Sequence, residues 1–132
     1  MKFKALRKKP GESFEFIDGI KGELSWVHAD GKIDHIGHLM IGAYCFLFDD
    51  FGAFNYIDGK IKYNCNLIND TNLIFGNMYV TKIDKHYEDV GMTPEDLTRI
   101  LNSVFVLSDE EAHIKIIELL EFMEQTEMLK DG

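Results

Sequence analysis

The stretch Ala43-Tyr44-Cys45-Phe46-Leu47-Phe48 decides the fold class of this sequence. An unbroken apolar run predicts a strand that is buried on both faces, because a half-exposed strand would alternate apolar and polar side chains. The acidic segment Asp49-Asp50-Phe51-Gly52 follows directly and predicts a turn. The sequence therefore predicts a sheet whose central strand lies at residues 43–48.

A hairpin and a short helix are predicted upstream. Residues 3–7 and 13–17 favour two paired strands, because Lys9-Pro10-Gly11-Glu12 between them places proline and glycine at the centre of a turn. Asp18-Gly19 is expected to end the second strand. The helical spacing of the apolar residues that follow predicts a short helix over 21–28.

Turns, one more strand and two helices are predicted downstream. The asparagine-rich residues 63–72 favour turns, and residues 73–83 predict a last strand with a bulge at Gly76-Asn77. Thr93-Pro94-Glu95-Asp96 is typical of a helix start. Ser108-Asp109-Glu110-Glu111 is a capping box, and it predicts a final helix that ends near residue 129.

Together these elements predict an α+β fold, with a mostly antiparallel sheet and a short early helix, followed by two C-terminal helices. A length of 132 residues suits one domain. We expect residues 1–132 to form that single domain, with a β-rich part over 1–92 and a helical part over 93–130.

Charge is distributed unevenly along the chain. The 14 Lys and Arg residues are outnumbered by 23 Asp and Glu residues, which gives a net charge of −9. Residues 2–9 hold five basic side chains and no acidic one, whereas residues 109–132 hold eight acidic and two basic ones. The opposite signs favour either contact between the two ends or an acidic surface for a basic partner. Because binding to phosphate backbones depends on clustered lysine and arginine, we expect no direct nucleic-acid partner.

The last predicted helix has a glutamate at every third position. These residues are Glu118, Glu121, Glu124 and Glu127. A solvated helix face would explain them, and so would a surface that mimics nucleic acid and occupies a basic groove on another protein. The sequence predicts that these four residues bind a basic protein surface.

The tetrapeptide His35-Ile36-Gly37-His38 matches the signature of nucleotidylyltransferases and class I aminoacyl-tRNA synthetases, whose histidines stabilise charge on the transferred nucleotide. That chemistry requires a doubly wound sheet, which the predicted elements do not supply. On a strand, a spacing of three residues also sends the two rings to opposite faces, which disfavours a shared metal ion. Nucleotidyl transfer through His35 and His38 is the weakest alternative, and we expect no catalytic residue, no metal and no cofactor.

The asparagine-rich segment offers a different type of site. Asparagine and tyrosine side chains suit hydrogen bonding to a nucleotide base and stacking on it. The ligand-binding residues predicted on this basis are Tyr63, Asn64, Asn66 and Asn77. Loop turns account for the same residues, so a small-ligand, nucleotide-type binding protein is the alternative prediction.

Compartment and assembly follow from the remaining features. Cys45 and Cys65 lack the spacing of a zinc site or a disulfide framework and are expected to be buried thiols. No apolar stretch of signal-peptide length follows the basic N-terminus, and the longest apolar-rich run, residues 39–48, is too short to span a membrane. The sequence therefore predicts a cytoplasmic protein with no membrane partner. An edge strand or the final helix could form a homodimer.

Four short motifs resemble a family of uncharacterised domains in phage and conjugative-element proteins. They are Asp49-Asp50-Phe51-Gly52, Asn64-Cys65-Asn66-Leu67, Ile74-Phe75-Gly76-Asn77-Met78-Tyr79-Val80 and Glu88-Asp89-Val90-Gly91-Met92-Thr93-Pro94-Glu95. The N-terminal strand and the turn after it extend the resemblance over most of residues 1–101. Family members usually have arginine where this chain has Cys65, and the acidic last helix lies outside the resemblance.

The resemblance implies a mobile-element setting and no established activity. Small acidic proteins in that setting are often inhibitors or decoys aimed at host machinery, an analogy that says nothing of mechanism. We therefore expect a non-enzymatic phage or mobile-element accessory protein that binds a host protein. Inhibition of host defence or of nucleic-acid-handling machinery would be its role.

Overall fold

The strand predicted from the apolar run lies inside a sheet, with one strand on each side of it. The computed structural model describes residues 1–9, 11–59, 65–68, 72–102 and 104–131. In chain order the elements are β1 (Lys2–Lys8), β2 (Glu15–Ile20), α1 (Ser25–Gly31), β3 (Ile36–Ile41), β4 (Tyr44–Asp49), α2 (Gly52–Ile57), β5 (Cys65–Ile68), β6 (Asn72–Ile74), β7 (Met78–Ile83), β8 (Asp89–Val90), α3 (Pro94–Leu101), β9 (Val104–Leu107) and α4 (Asp109–Asp131).

These strands form two sheets. In the large sheet β4 lies between β3 and β7, β1 lies between β7 and β2, and the short β8 pairs with β7. The small sheet contains β6, β5 and β9 in that order. Every strand pairing among the described residues is antiparallel. This arrangement confirms the α+β class, the early helix and the two C-terminal helices.

The two sheets and the helices pack as layers through apolar side chains. On one face of the large sheet, Leu47 and Tyr79 pack with Val27 of α1. On the other face, Phe46 packs with Ile100 of α3 and with residues of the small sheet. Because side chains alternate along a strand, the small sheet has a second apolar face, which α2 and α4 cover. The α4 helix is thus an outer layer of the fold.

The hairpin is confirmed, but the end predicted for its second strand is wrong. β2 continues through Gly19, which pairs with Phe3 of β1. A Cβ atom on Gly19 would lie 2.8 Å from the Phe3 ring and 2.9 Å from the Trp26 ring. Glycine is therefore needed here for the room it leaves to two aromatic rings. The chain turns later, at Gly22, whose φ is +78°, and α1 consequently begins at Ser25.

The strand predicted over 73–83 is in fact two strands in different sheets. β6 ends at Ile74 in the small sheet, and β7 begins at Met78 in the large one. Gly76 between them has a φ of +79°, which lets the chain cross from one sheet to the other. The predicted bulge is therefore a crossover. β5 lies at Cys65–Ile68, where the sequence predicted turns, and α2, β8 and β9 have no counterpart in the sequence prediction.

Two further expectations concern cysteine burial and membrane spans. Cys45 is half-buried, and burial raises the pKa of its thiol. The Cys65 side chain lies outside the described part. No helix among the described residues combines the length and apolar character needed to cross a membrane.

Candidate functional site

The final helix is held on the small sheet by a cap and a short apolar contact. The backbone N–H of Glu111 donates a hydrogen bond to the Ser108 hydroxyl over 3.2 Å, as the capping box predicts. Ala112 and Ile116 are buried and pack with Phe75, which lies just after β6. This contact anchors the first half of α4 and leaves the rest of its circumference outward.

The outward side of α4 combines acidic and apolar side chains. Ile114 and Ile117 are 51% and 41% exposed. Glu118, Glu121 and Glu124 are exposed as well. Spacings of three, four and seven residues place all five side chains on the same side of a helix. We call these five residues the acidic face.

The predicted glutamates do not form a straight row along α4. An α-helix turns by about 100° per residue, so a step of three residues moves each side chain about 60° around the axis. Glu118, Glu121 and Glu124 therefore spread over about 120° of the helix surface. The side chain of Glu127 lies outside the described part. The sequence spacing identified the three exposed glutamates. It did not identify Ile114 and Ile117, which lie on the same side of the helix.

Cations elsewhere in the described chain do not neutralise the acidic face. Lys4 forms an ion pair with Asp18 at 2.8 Å, and Arg7 pairs with Glu15 and Asp30. No ion pair among the described residues includes α4. Of the five bases in residues 2–9, Lys4 and Arg7 are thus paired within the hairpin and with α1. Among the described residues, no ion pair joins the two oppositely charged chain ends.

The two histidines lie at the outer edge of the large sheet. His35 precedes β3, and its ring meets the Phe51 ring edge-on with centroids 4.9 Å apart. His38 lies on β3 opposite Leu47 of β4, and both histidines are exposed. In the described ranges, no group of three or more His, Cys, Asp or Glu residues is placed to hold a metal ion. The antiparallel sheet also differs from the doubly wound sheet that nucleotidyl transfer would require.

The predicted ligand residues are spread over different parts of the chain. Tyr63 and Asn64 lie outside the described part. Asn66 lies in β5, the middle strand of the small sheet, whereas Asn77 lies in the crossover before β7. The Asn77 amide donates a hydrogen bond to the Tyr79 hydroxyl over 3.1 Å. A structural role therefore accounts for Asn77, and a ligand site in this segment stays a prediction.

Tyr79, which is buried, extends this contact into a polar network that reaches the surface at Asp30. Its hydroxyl donates to Asp30 over 2.6 Å, and Arg7 donates to the other oxygen of Asp30 over 2.7 Å. Burial alone would raise the pKa of Asp30, but the hydrogen bonds from Tyr79 and Arg7 hold it below its usual value. The network ties α1 to the large sheet. Its charges are satisfied internally, which is typical of a structural role.

Lys8 is a candidate that no sequence pattern singled out. It is only 4% exposed, and its Nζ atom is buried without a hydrogen-bond partner among the described residues. Burial lowers the pKa of Lys8, and the charge of Glu12 opposes that effect. In the sequence Lys8 is one of five bases in residues 2–9, so nothing distinguishes it until α3 is packed against its strand.

No family model, curated protein or solved structure matches the chain. Fold and site define an α+β protein with an acidic, partly apolar helix on its surface. The resemblance to phage and conjugative-element domains stays a prediction.

Proposed function

We propose that this chain is a non-enzymatic binding protein whose acidic face docks on a basic, partly apolar surface of another protein. The supporting observation is the exposed pair Ile114 and Ile117 beside three exposed glutamates. Single exposed apolar residues are common on protein surfaces and need no explanation. An apolar pair bordered by unpaired charge is different, because it has the apolar centre and polar rim of a protein interface.

Charge favours a protein partner over nucleic acid or a second copy of the chain. Phosphate backbones would be repelled by Glu118, Glu121 and Glu124. Two copies meeting through this face would bring like charges together, which costs several kcal/mol in an interface. A groove with apolar walls and lysine or arginine at its rim complements both properties, and docking of a helix in a groove is a recurrent binding mode.

A mobile-element setting supplies the biological part of the proposal. In that setting the partner is a host protein, and a basic groove that normally holds nucleic acid is a suitable docking surface. Occupying the groove would block it. The chain would then inhibit host defence or nucleic-acid-handling machinery by competing with the natural ligand.

Reversing two charges on the acidic face is expected to weaken partner binding about tenfold, because complementary rim charges become repulsive. The variant is Glu118→Lys with Glu121→Lys. Partners are captured with the wild-type chain as bait, purified, and measured by titration calorimetry at several salt concentrations. Binding by the wild-type chain should weaken as salt increases, since salt screens exposed charges.

A matched control separates the position of the charges from net charge. Asp34→Lys with Glu88→Lys changes net charge equally at exposed residues in loops outside α4, and it should leave affinity within about twofold of wild type. Ile117→Ser should weaken binding without changing its salt dependence. The proposal is wrong if purified partners bind the α4 variant and the control variant with equal affinity.

A further inference from the structure

A cleft of about 490 Å³ lies between the β1–β2 turn and α3. Small-molecule sites typically have volumes of roughly 300–1,000 Å³, so the space is sufficient for a ligand. Gly11, Glu12 and Ser13 of the turn line one side, and α3 contributes Leu97 and Leu101. Phe14 and Lys8 complete the lining. The walls are therefore mainly apolar, with one buried amine.

The strand register places Lys8 on the apolar side of the large sheet. Side chains two residues apart on a strand share a face, so Lys8 and Leu6 point to the same side. Leu6 is fully buried in the core that includes Ile100 of α3. Lys8 also pairs with Met78 of β7, and β1 lies between β7 and β2 in the sheet. The interior position of β1 therefore keeps the amine out of bulk water.

Among the described residues, the buried amine of Lys8 has no hydrogen-bond partner. Lys4 and Arg7 on the same strand form ion pairs. Glu12 lies close enough to raise the pKa of Lys8, but it forms no ion pair with Lys8. An unpaired ammonium in apolar surroundings is unfavourable. An anion bound beside it would supply a charge-assisted hydrogen bond and remove that penalty.

We propose that this cleft binds a small carboxylate that bears an apolar chain. The Lys8 ammonium donates a hydrogen bond to the carboxylate, and Phe14, Leu97 and Leu101 contact the chain. A single buried cation suits a monoanion, and Glu12 would repel the second charge of a phosphate monoester. The site is independent of the acidic face, since the hairpin and α3 form the cleft whereas α4 forms that face.

Octanoate and 1-octanol test the proposal, because they share an alkyl chain and differ in the anionic head. Each compound is titrated into the full ¹⁵N-labelled chain at neutral pH, and amide shifts are followed by NMR. Octanoate should bind wild type about tenfold or more tightly than it binds Lys8→Met. Octanol should bind both chains equally. The shifts should map to residues 11–14 and 97–101.

Two further variants provide controls in folded chains. Lys9→Met removes the exposed neighbouring charge and should leave octanoate affinity unchanged. Glu12→Gln removes the repelling charge and should tighten octanoate binding several-fold. Equal affinity of wild type and Lys8→Met for octanoate would overturn the proposal. It would also be overturned if octanol bound wild type as tightly as octanoate, or if Glu12→Gln left affinity unaltered.

Discussion

Replacing Asp96 with alanine is expected to lower the free energy of unfolding by about 3–5 kcal/mol, the range for removing one member of a buried charged network. Asp96 is 1% exposed. Its carboxylate accepts hydrogen bonds from the backbone N–H and hydroxyl of Thr93 at 2.8 and 2.9 Å, from the Tyr44 hydroxyl at 2.5 Å and from Lys82 at 3.2 Å. The substitution removes the acceptor that joins α3 to β4 and β7.

Acidic pH should remove the stabilisation that the Asp96 carboxylate provides. Burial alone would raise the pKa of Asp96, but the hydrogen bonds from Tyr44 and Thr93 outweigh it and hold the pKa well below its usual value of 3.8. The unfolded chain therefore takes up a proton at a higher pH than the folded chain, so this stabilisation is complete above about pH 5 and declines below about pH 4.

Denaturant unfolding of wild type and Asp96→Asn between pH 3 and 7 measures this effect. Every partner of Asp96 is a donor, so the amide nitrogen of asparagine would meet another donor and the variant should be less stable at pH 7. The difference in the free energy of unfolding between this variant and wild type should shrink below about pH 4. Glu95→Ala is the control, because Glu95 is exposed in the same helical turn, and it should cost less than about 1 kcal/mol. An equal loss in both alanine variants would attribute the effect to the helix dipole instead of the network.

Asp96 also shows which parts of the fold the sequence could predict. The helix start at Thr93-Pro94 was predictable because capping depends on residues within one turn. The connection from Asp96 to Tyr44 and Lys82 was not, because it depends on which strands lie beneath α3. The interior strand β4 and the hairpin were predictable for the same local reason as the cap.

The small sheet could not be predicted from local sequence. Cys65 pairs with Leu107 and Ile68 with Val104, so its central strand finds a partner almost forty residues away. Local propensity carries no information about such pairings. Gly19 is similar, since its Asp-Gly sequence favours a turn whereas the rings of Phe3 and Trp26 require glycine inside a strand.

The candidate sites divide in the same way. The glutamates of α4 were found from their spacing, since an exposed helix face follows from the sequence period. The exposure of Ile114 and Ile117 could not be predicted from the sequence. It depends on the contact of α4 with the small sheet through Ala112 and Ile116. Lys8 could not be found at all from a run of five bases, since its burial requires α3.

Replacing Lys8 with methionine is expected to raise the free energy of unfolding by about 1–3 kcal/mol at pH 7, the cost of a buried polar group that lacks a partner. Methionine keeps the unbranched stem that packs beside Leu6 and Met78 and removes only the amine. Lys9→Met is the control at an exposed position, and it should change stability by no more than about 0.5 kcal/mol. Denaturant unfolding monitored by circular dichroism measures all three chains.

The gain from Lys8→Met should depend on pH in a defined direction. Burial lowers the pKa of Lys8 below its usual value of 10.5, so the unfolded chain holds its proton to a higher pH than the folded chain. Wild type is penalised fully below the folded pKa, and the penalty fades as pH rises toward 10.5. The advantage of the variant should therefore shrink between pH 7 and about pH 10. A variant less stable than wild type at pH 7 would mean that the ammonium has a partner in the folded chain, and Glu12, whose charge raises the pKa of Lys8, would be the candidate. A stabilised variant that loses octanoate binding would show that the chain retains an unfavourable buried charge for the sake of a ligand.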